Sequence, residues 1–168
     1  MKHFIYLFSI LLLFAVNINV YAQGEPSPAN LAPGLREHAV TIEVESRVLG
    51  PGKVVFWSNT NSQVIISGNP MGVQLEGSNV IVSVQFTPFI NRDGNVLVAQ
   101  GHFWIADSNG TVTYYTSVQT IPMILGQKIY YYPLGSAEHL NPSIEMVINV
   151  TSESSRSRRN TPNVSNER

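Results

Sequence analysis

From residue 40 onward, apolar and polar residues alternate with a period of two, the spacing that sends successive side chains to opposite faces of a β-strand. Val40, Ile42 and Val44 alternate with Thr41, Glu43 and Glu45, which predicts a strand with one wet face. Short β-branched and aromatic runs predict strands over Lys53 to Trp57 and Gln63 to Ser67, with the turn-forming Ser58-Asn59-Thr60-Asn61-Ser62 between them. A weaker strand over Gly72 to Glu76 ends at Gly77-Ser78-Asn79. Val80, Val82, Val84 and Phe86 then mark one face of a longer strand that ends at Thr87-Pro88.

The pattern is clearest in the middle of the chain. Asn91-Arg92-Asp93-Gly94-Asn95 predicts a hairpin turn, and Val96 to Ile105 runs back from it. A second turn falls at Ser108-Asn109-Gly110, where Asn-Gly supplies the positive φ that tight hairpins need. Thr111 to Ile121 follows, so the stretch from about Val80 to Ile121 reads as an antiparallel meander. Gln127 to Tyr132 is an aromatic strand closed by Pro133-Leu134-Gly135, and Ser143 to Val150 is the last, with Ile144, Met146, Ile148 and Val150 on one side. Beyond the N-terminal segment the helical period is missing, apart from room for one turn at Ser136 to Leu140. The expected fold is an all-β antiparallel two-sheet sandwich, immunoglobulin-like or similar, of about eight or nine strands. A small closed barrel is the alternative.

The two ends follow other rules. Lys2 and His3 precede an apolar run from Phe4 to Val16, shorter than the ~20 residues a membrane helix needs. Val20-Tyr21-Ala22 then fits the small-residue rule for signal peptidase, so residues 1–22 read as a cleaved signal peptide and place the protein in the periplasm or outside the cell. Residues 23–38, with Pro26, Pro28 and Pro33, read as a flexible leader, and residues 39–151 as the folded domain. Residues 152–168 hold too little apolar surface to offset the entropy of ordering, and are expected to be a disordered tail.

Composition narrows the chemistry. The chain has no cysteine, which excludes disulfides, thiolate nucleophiles and cysteine metal sites. Ten basic residues against eleven acidic ones leave a formal net charge of −1, and the basic excess lies only in the tail around Arg156, Arg158 and Arg159. No basic surface for nucleic acid is therefore expected. Neither a nucleophile elbow, nor a His-Glu-x-x-His helix, nor a phosphate-cradling glycine loop is present, and no cofactor or metal is implied.

The remaining candidates are single residues. His102 shares a strand face with Trp104, and would make a hydrolase only with an acidic partner such as Asp107 or Glu138; a structural histidine is the plainer reading. Glu43 and Glu45 share a face, a geometry for a weak cation site or for a solvated edge strand. Tyr130-Tyr131-Tyr132 with Tyr114 and Tyr115 is the densest group of aromatics, and aromatic side chains are frequent both in β cores and at binding surfaces. Trp57, Trp104, Tyr115 and Tyr131 are the candidate contacts.

Two resemblances add to this. The segment Phe86-Thr87-Pro88-Phe89-Ile90-Asn91-Arg92-Asp93-Gly94-Asn95-Val96-Leu97 resembles the hairpin motif of outer-membrane secretins, and Gly126-Gln127-Lys128-Ile129 with Leu134-Gly135 resembles their glycine signature. The chain departs from that family where Tyr130 to Tyr132 replace aliphatics and Ser136 replaces a glycine, and its length excludes a free-standing channel. As a whole it is similar to small exported β-domain proteins of spirochaete type, which implies an envelope or surface sandwich and assigns no mechanism.

The sequence thus points to an exported, non-catalytic module that binds a protein or cell-envelope component, with a carbohydrate-binding module as the alternative. The export reading has a direct check: mass spectrometry of the exported protein is expected to find Gln23 at its N-terminus, and a chain that retains Phe4 to Val16 would reverse the assignment.

Overall fold

The computed structural model describes residues 32–135 and 142–153. After one helical turn, α1 (Pro33–Arg36), come eight strands: β1 (Ala39–Leu49), β2 (Val55–Ile66), β3 (Met71–Glu76), β4 (Val80–Phe89), β5 (Asn95–Ala106), β6 (Val112–Met123), β7 (Lys128–Tyr131) and β8 (Ser143–Ser152). They form two four-stranded antiparallel sheets, ordered β2-β1-β8-β7 and β3-β4-β5-β6. The two-sheet sandwich expected from the alternation is what forms, and the sheets do not close into a barrel. The second sheet is a plain meander, and the first is two hairpins joined through β1 and β8. The one turn of helix falls inside the stretch that composition marks as leader. The possible helical turn at Ser136 to Leu140 lies outside the described residues.

Strand alternation decides the core. Val40, Ile42, Val44 and Val48 of β1 and Ile144, Met146, Ile148 and Val150 of β8 face inward from one sheet. Val73 and Leu75, Val82, Val84 and Phe86, and Leu97, Ala99 and Phe103 face them from the other. Removing these side chains from water is the main driving force for closing the two layers. Tyr131 crosses the gap and meets Phe86 edge to face, with ring centroids 5.7 Å apart and planes at 87°, the arrangement the ring quadrupoles favour.

Two prolines sit inside strands without disturbing a ladder. β3 ends its pairing with β4 at Phe86, so the N-side of Pro88 faces no neighbouring strand. Pro122 lies on β6, at the edge of its sheet. A residue that lacks an N–H is tolerated where no strand would receive it. This is why β4 continues through Thr87-Pro88 to Phe89, past the end the sequence suggests. Lys53 likewise leaves its expected strand: it closes a tight Pro51-Gly52-Lys53 turn with φ 61°, and β2 starts at Val55.

The largest departure is β2. Ser58 to Ser62, a turn by residue type, is extended, and β2 is one continuous strand of 12 residues. Its partner explains this. β1 alternates apolar residues with polar ones except at Ser46, and each residue from Ala39 to Val48 has an opposite number from Ile66 back to Trp57. A ladder that keeps β2 in register with β1 along its length outweighs the weak turn preference of Ser and Asn. The register also turns Asn59, Asn61 and Gln63 to the core side, beside Ser46 of β1.

These inward groups are poorly served. Ser46 Oγ, Asn61 Nδ2 and Gln63 Oε1 are buried with no hydrogen-bond partner among the described residues. A buried polar group without a partner opposes folding, and an apolar group of similar shape removes that cost. Gln63→Leu is therefore expected to leave the urea-unfolding midpoint unchanged or to raise it, whereas Val44→Ala in the same sheet should lower stability by about 2 kcal/mol.

Candidate functional site

The β5–β6 hairpin groups several exposed aromatic side chains on one face. Its turn fixes the register: Asp107 N–H donates to Thr111 O at 3.0 Å, and Asp107 Oδ1 accepts from Asn109 and Thr111 N–H at 2.8 and 2.9 Å. Gly110 supplies the positive φ, 83°, that the reversal requires. From that rung the strands pair so that Trp104 lies opposite Tyr114 and His102 opposite Thr116. Hydrogen-bonded and non-hydrogen-bonded rungs alternate along an antiparallel ladder. Counting from Asp107 and Thr111, Trp104 and Tyr114 form a non-hydrogen-bonded rung, the kind in which side chains stand closest.

The rings respond to that closeness. Trp104 and Tyr114 have centroids 5.2 Å apart, and His102 lies 6.3 Å from Trp104 and 6.2 Å from Tyr114, with its plane within 23° of both. His102 Nδ1 and the Tyr114 hydroxyl share a hydrogen bond of 2.7 Å. Ile81 of β4, opposite Trp104, extends the apolar surface, and Ser83 and Gln100 lie beside it. Trp104, Tyr114 and Ile81 are all exposed despite their size.

The same hairpin leaves β6 open on one side among the described residues. β6 is the last strand of its sheet, and the alternation that pairs Thr113, Tyr115 and Ser117 with β5 turns the backbone N–H and C=O of Tyr114, Thr116, Val118 and Thr120 outward. Among the described residues, no backbone hydrogen bond reaches them from the open side. β6 is exposed on both faces: Tyr114 and Val118 on the outer, Tyr115 on the inner, where β7 is only 4 residues long.

The four candidate contacts separate. Trp104 is on the aromatic face. Tyr115 is exposed, but on the opposite side of β6, across from Phe103. Trp57 is half-buried at one end of the sandwich, where with Leu75, Gly77, Val80 and Ile144 it lines a shallow apolar crevice. Tyr131 is overturned as a contact: it is 2% exposed, because its rung opposite Met146 points it into the core. Tyr114 is the residue sequence reasoning passed over. The hairpin turn contains the signal that finds it, since counting back from Asp107-Ser108-Asn109-Gly110 places it against Trp104.

His102 is bonded to a phenol. Asp107, one of the acids named for it, spends its carboxylate on its own turn. Glu138 lies outside the described residues. Among the described residues, no three His, Asp or Glu side chains converge to hold a metal ion, and no helix is long and apolar enough to cross a membrane.

The outer face of the other sheet carries the ionic cluster. Glu45 is on β1, a central strand, so the solvated-edge reading of Glu43 and Glu45 does not hold. Arg47 donates to both Glu45 carboxylate oxygens at 2.8 and 2.6 Å and to buried Glu145 at 3.1 Å, and Glu145 also accepts from the Tyr132 hydroxyl at 2.6 Å. The guanidinium hydrogen bonds hold the Glu45 carboxyl below its ordinary range, and donation to Glu145 pushes the Tyr132 phenol above its own.

No protein family, characterised protein or solved structure matches the chain in sequence or fold comparison.

The ionic cluster has opposite signatures at the two ends of the pH scale. A depressed carboxyl stabilises the fold above its unfolded pKa, about 4.3 for Glu, and that contribution fades as pH falls below it. A raised phenol stabilises below its unfolded pKa, about 10, and that contribution is lost as pH rises beyond it. Arg47→Met should flatten the acid limb and leave Glu145 buried without its cation, at a cost of roughly 2 kcal/mol. Urea titrations at pH 3, 7 and 11 on both proteins check this; an acid limb that is unchanged in Arg47→Met would refute it.

Proposed function

We propose that this protein is an exported, non-catalytic β-sandwich module that binds a protein of the cell envelope through the outer face and open edge of the β5–β6 hairpin. The observation that carries the reading is the placement of the His102, Trp104 and Tyr114 rings beside an unpaired strand. Large apolar side chains are left in water at a cost, and grouped exposure of this kind marks contact surfaces. Trp and Tyr are the residue types that dominate such contacts, because each buries much area with few rotatable bonds. The backbone groups of β6 offer an extended partner the main-chain bonds of strand addition.

A second reading, a carbohydrate-binding module, draws on the near-parallel rings beside Ser83, Gln100 and Thr116. The protein reading is the stronger. At 5.2 Å, Trp104 and Tyr114 lie against one another, and a sugar stacks on a ring face that is open.

The test is capture from envelope extract by the tagged protein beside Tyr114→Thr and Trp104→Ala variants whose folding is verified by circular dichroism. A discrete protein retained by the parent is expected to fall by about tenfold in affinity for each variant, as for hot-spot aromatics. Equal retention by all three proteins would rule out the aromatic face. Retention of polysaccharide in place of protein would select the carbohydrate reading.

A further inference from the structure

Both long edge strands of the sandwich are uncharged. β2 reads VFWSNTNSQVII and β6 reads VTYYTSVQTIPM, with no Asp, Glu, Lys or Arg in either. Natural sheets usually place charge, especially Lys, on open edges to prevent their pairing with another chain. The two edges nevertheless differ. The exposed apolar residues of β2, Val55 and Phe56, stand at its start, and its middle is Ser, Asn and Thr. β6 exposes Val112, Tyr114, Tyr115 and Val118 along its length and on both faces. Pairing β6 removes apolar area from water on two sides of the new ladder. Pairing β2 removes little.

We infer that the strand added to β6 is the β6 of a second copy, antiparallel and related by a two-fold axis at Thr116. The inference rests on the reading of β6 as a docking edge and names its occupant.

Three features point to a second copy. A two-fold contact sets each residue against its own symmetry mate or near neighbours, so any charge near the axis meets its like, and β6 has none. The outward backbone groups belong to Tyr114, Thr116, Val118 and Thr120, and bonding across the axis requires these to face one another. Centred on Thr116, that register sets Tyr114 against Val118 and Val112 against Thr120, each twice, and Tyr115 against Ser117 on the inner side. Aromatic and β-branched residues in opposition are the favourable cross-strand combinations. Pro122, which has no N–H to give, falls beyond the paired stretch. The ladder contains roughly ten interchain hydrogen bonds by alternate pairing, the number a stable interface of ordinary size carries. It joins the two meanders into one continuous sheet and brings the His102, Trp104 and Tyr114 groups of both copies onto a single face.

The absence of cysteine gives this a clean test. In the inferred register the two Thr116 Cα atoms lie at the ~5.5 Å of a hydrogen-bonded rung, within disulfide reach. Thr116→Cys in the full chain should form a covalent dimer on mild oxidation, much faster than Thr60→Cys on the open edge of β2. Sedimentation of the unmodified protein should show a concentration-dependent dimer. Thr116→Lys and Thr116→Glu should each weaken it by at least roughly tenfold through like charges at the axis, and an equimolar mixture of the two should restore it as a heterodimer. A protein that stays monomeric at millimolar concentration, or a Thr116→Cys variant that cross-links no faster than Thr60→Cys, overturns the inference. If the monomer still captures an envelope protein, and Thr116→Lys but not Thr60→Lys abolishes that capture, β6 remains a docking edge and only its occupant is wrong. If capture is also indifferent to Thr116→Lys, the docking edge fails with it.

Discussion

The sandwich depends on the pairing of β1 with β8. Every other ladder among the described strands joins neighbours in the sequence, so its closure costs little chain entropy. The β1–β8 ladder joins Val40 to Ser152 and Leu49 to Ser143, across almost the whole domain. It unites two hairpins that would separately be short ribbons with an uncovered apolar side. Only with it does the first sheet become wide enough to cover the meander. β8 reflects this position, with both rows of side chains buried over most of its length. Long-range pairing of this kind is slow to form, because its loop entropy is lost before its contacts are gained.

The sequence makes most of this architecture legible, for a physical reason. The meander is held by local turns whose chemistry is explicit, Asp93-Gly94 and Asn109-Gly110, and alternation then carries each strand to its end. The errors fall where a neighbour overrides local preference. Ser58 to Ser62 has the composition of a turn and lies in β2 because β1 offers it an unbroken ladder. Tyr131 has the look of a surface aromatic, and it is in the core because its register with β8 points it there. Which tyrosine meets Trp104 is a question of pairing, and residue type alone could not separate Tyr114 from Tyr115. The order of the strands in the first sheet was not readable at all, since the β1–β8 contact leaves no local mark.

The two sheets divide the polar work between them. The outer face of the first is knitted by Arg47, Glu45, Glu145 and Tyr132, groups that satisfy one another and present little to a partner. The outer face of the second has its aromatics exposed and its last strand without a neighbour among the described residues. A surface that serves only stability is expected to resemble the first. The asymmetry sets the β5–β6 hairpin apart as the side with apolar surface left to cover, and the unserved amides of β2 are a separate matter of interior packing.

The register of β1 with β8 also settles how the domain bears load. Val40 stands opposite Ser152, so the folded chain enters and leaves at the same pole of the sandwich. Tension applied between Ala39 and Ser152 therefore peels the two strands apart one rung at a time. It does not shear all the rungs together. A domain threaded in this way yields rung by rung when pulled by its ends.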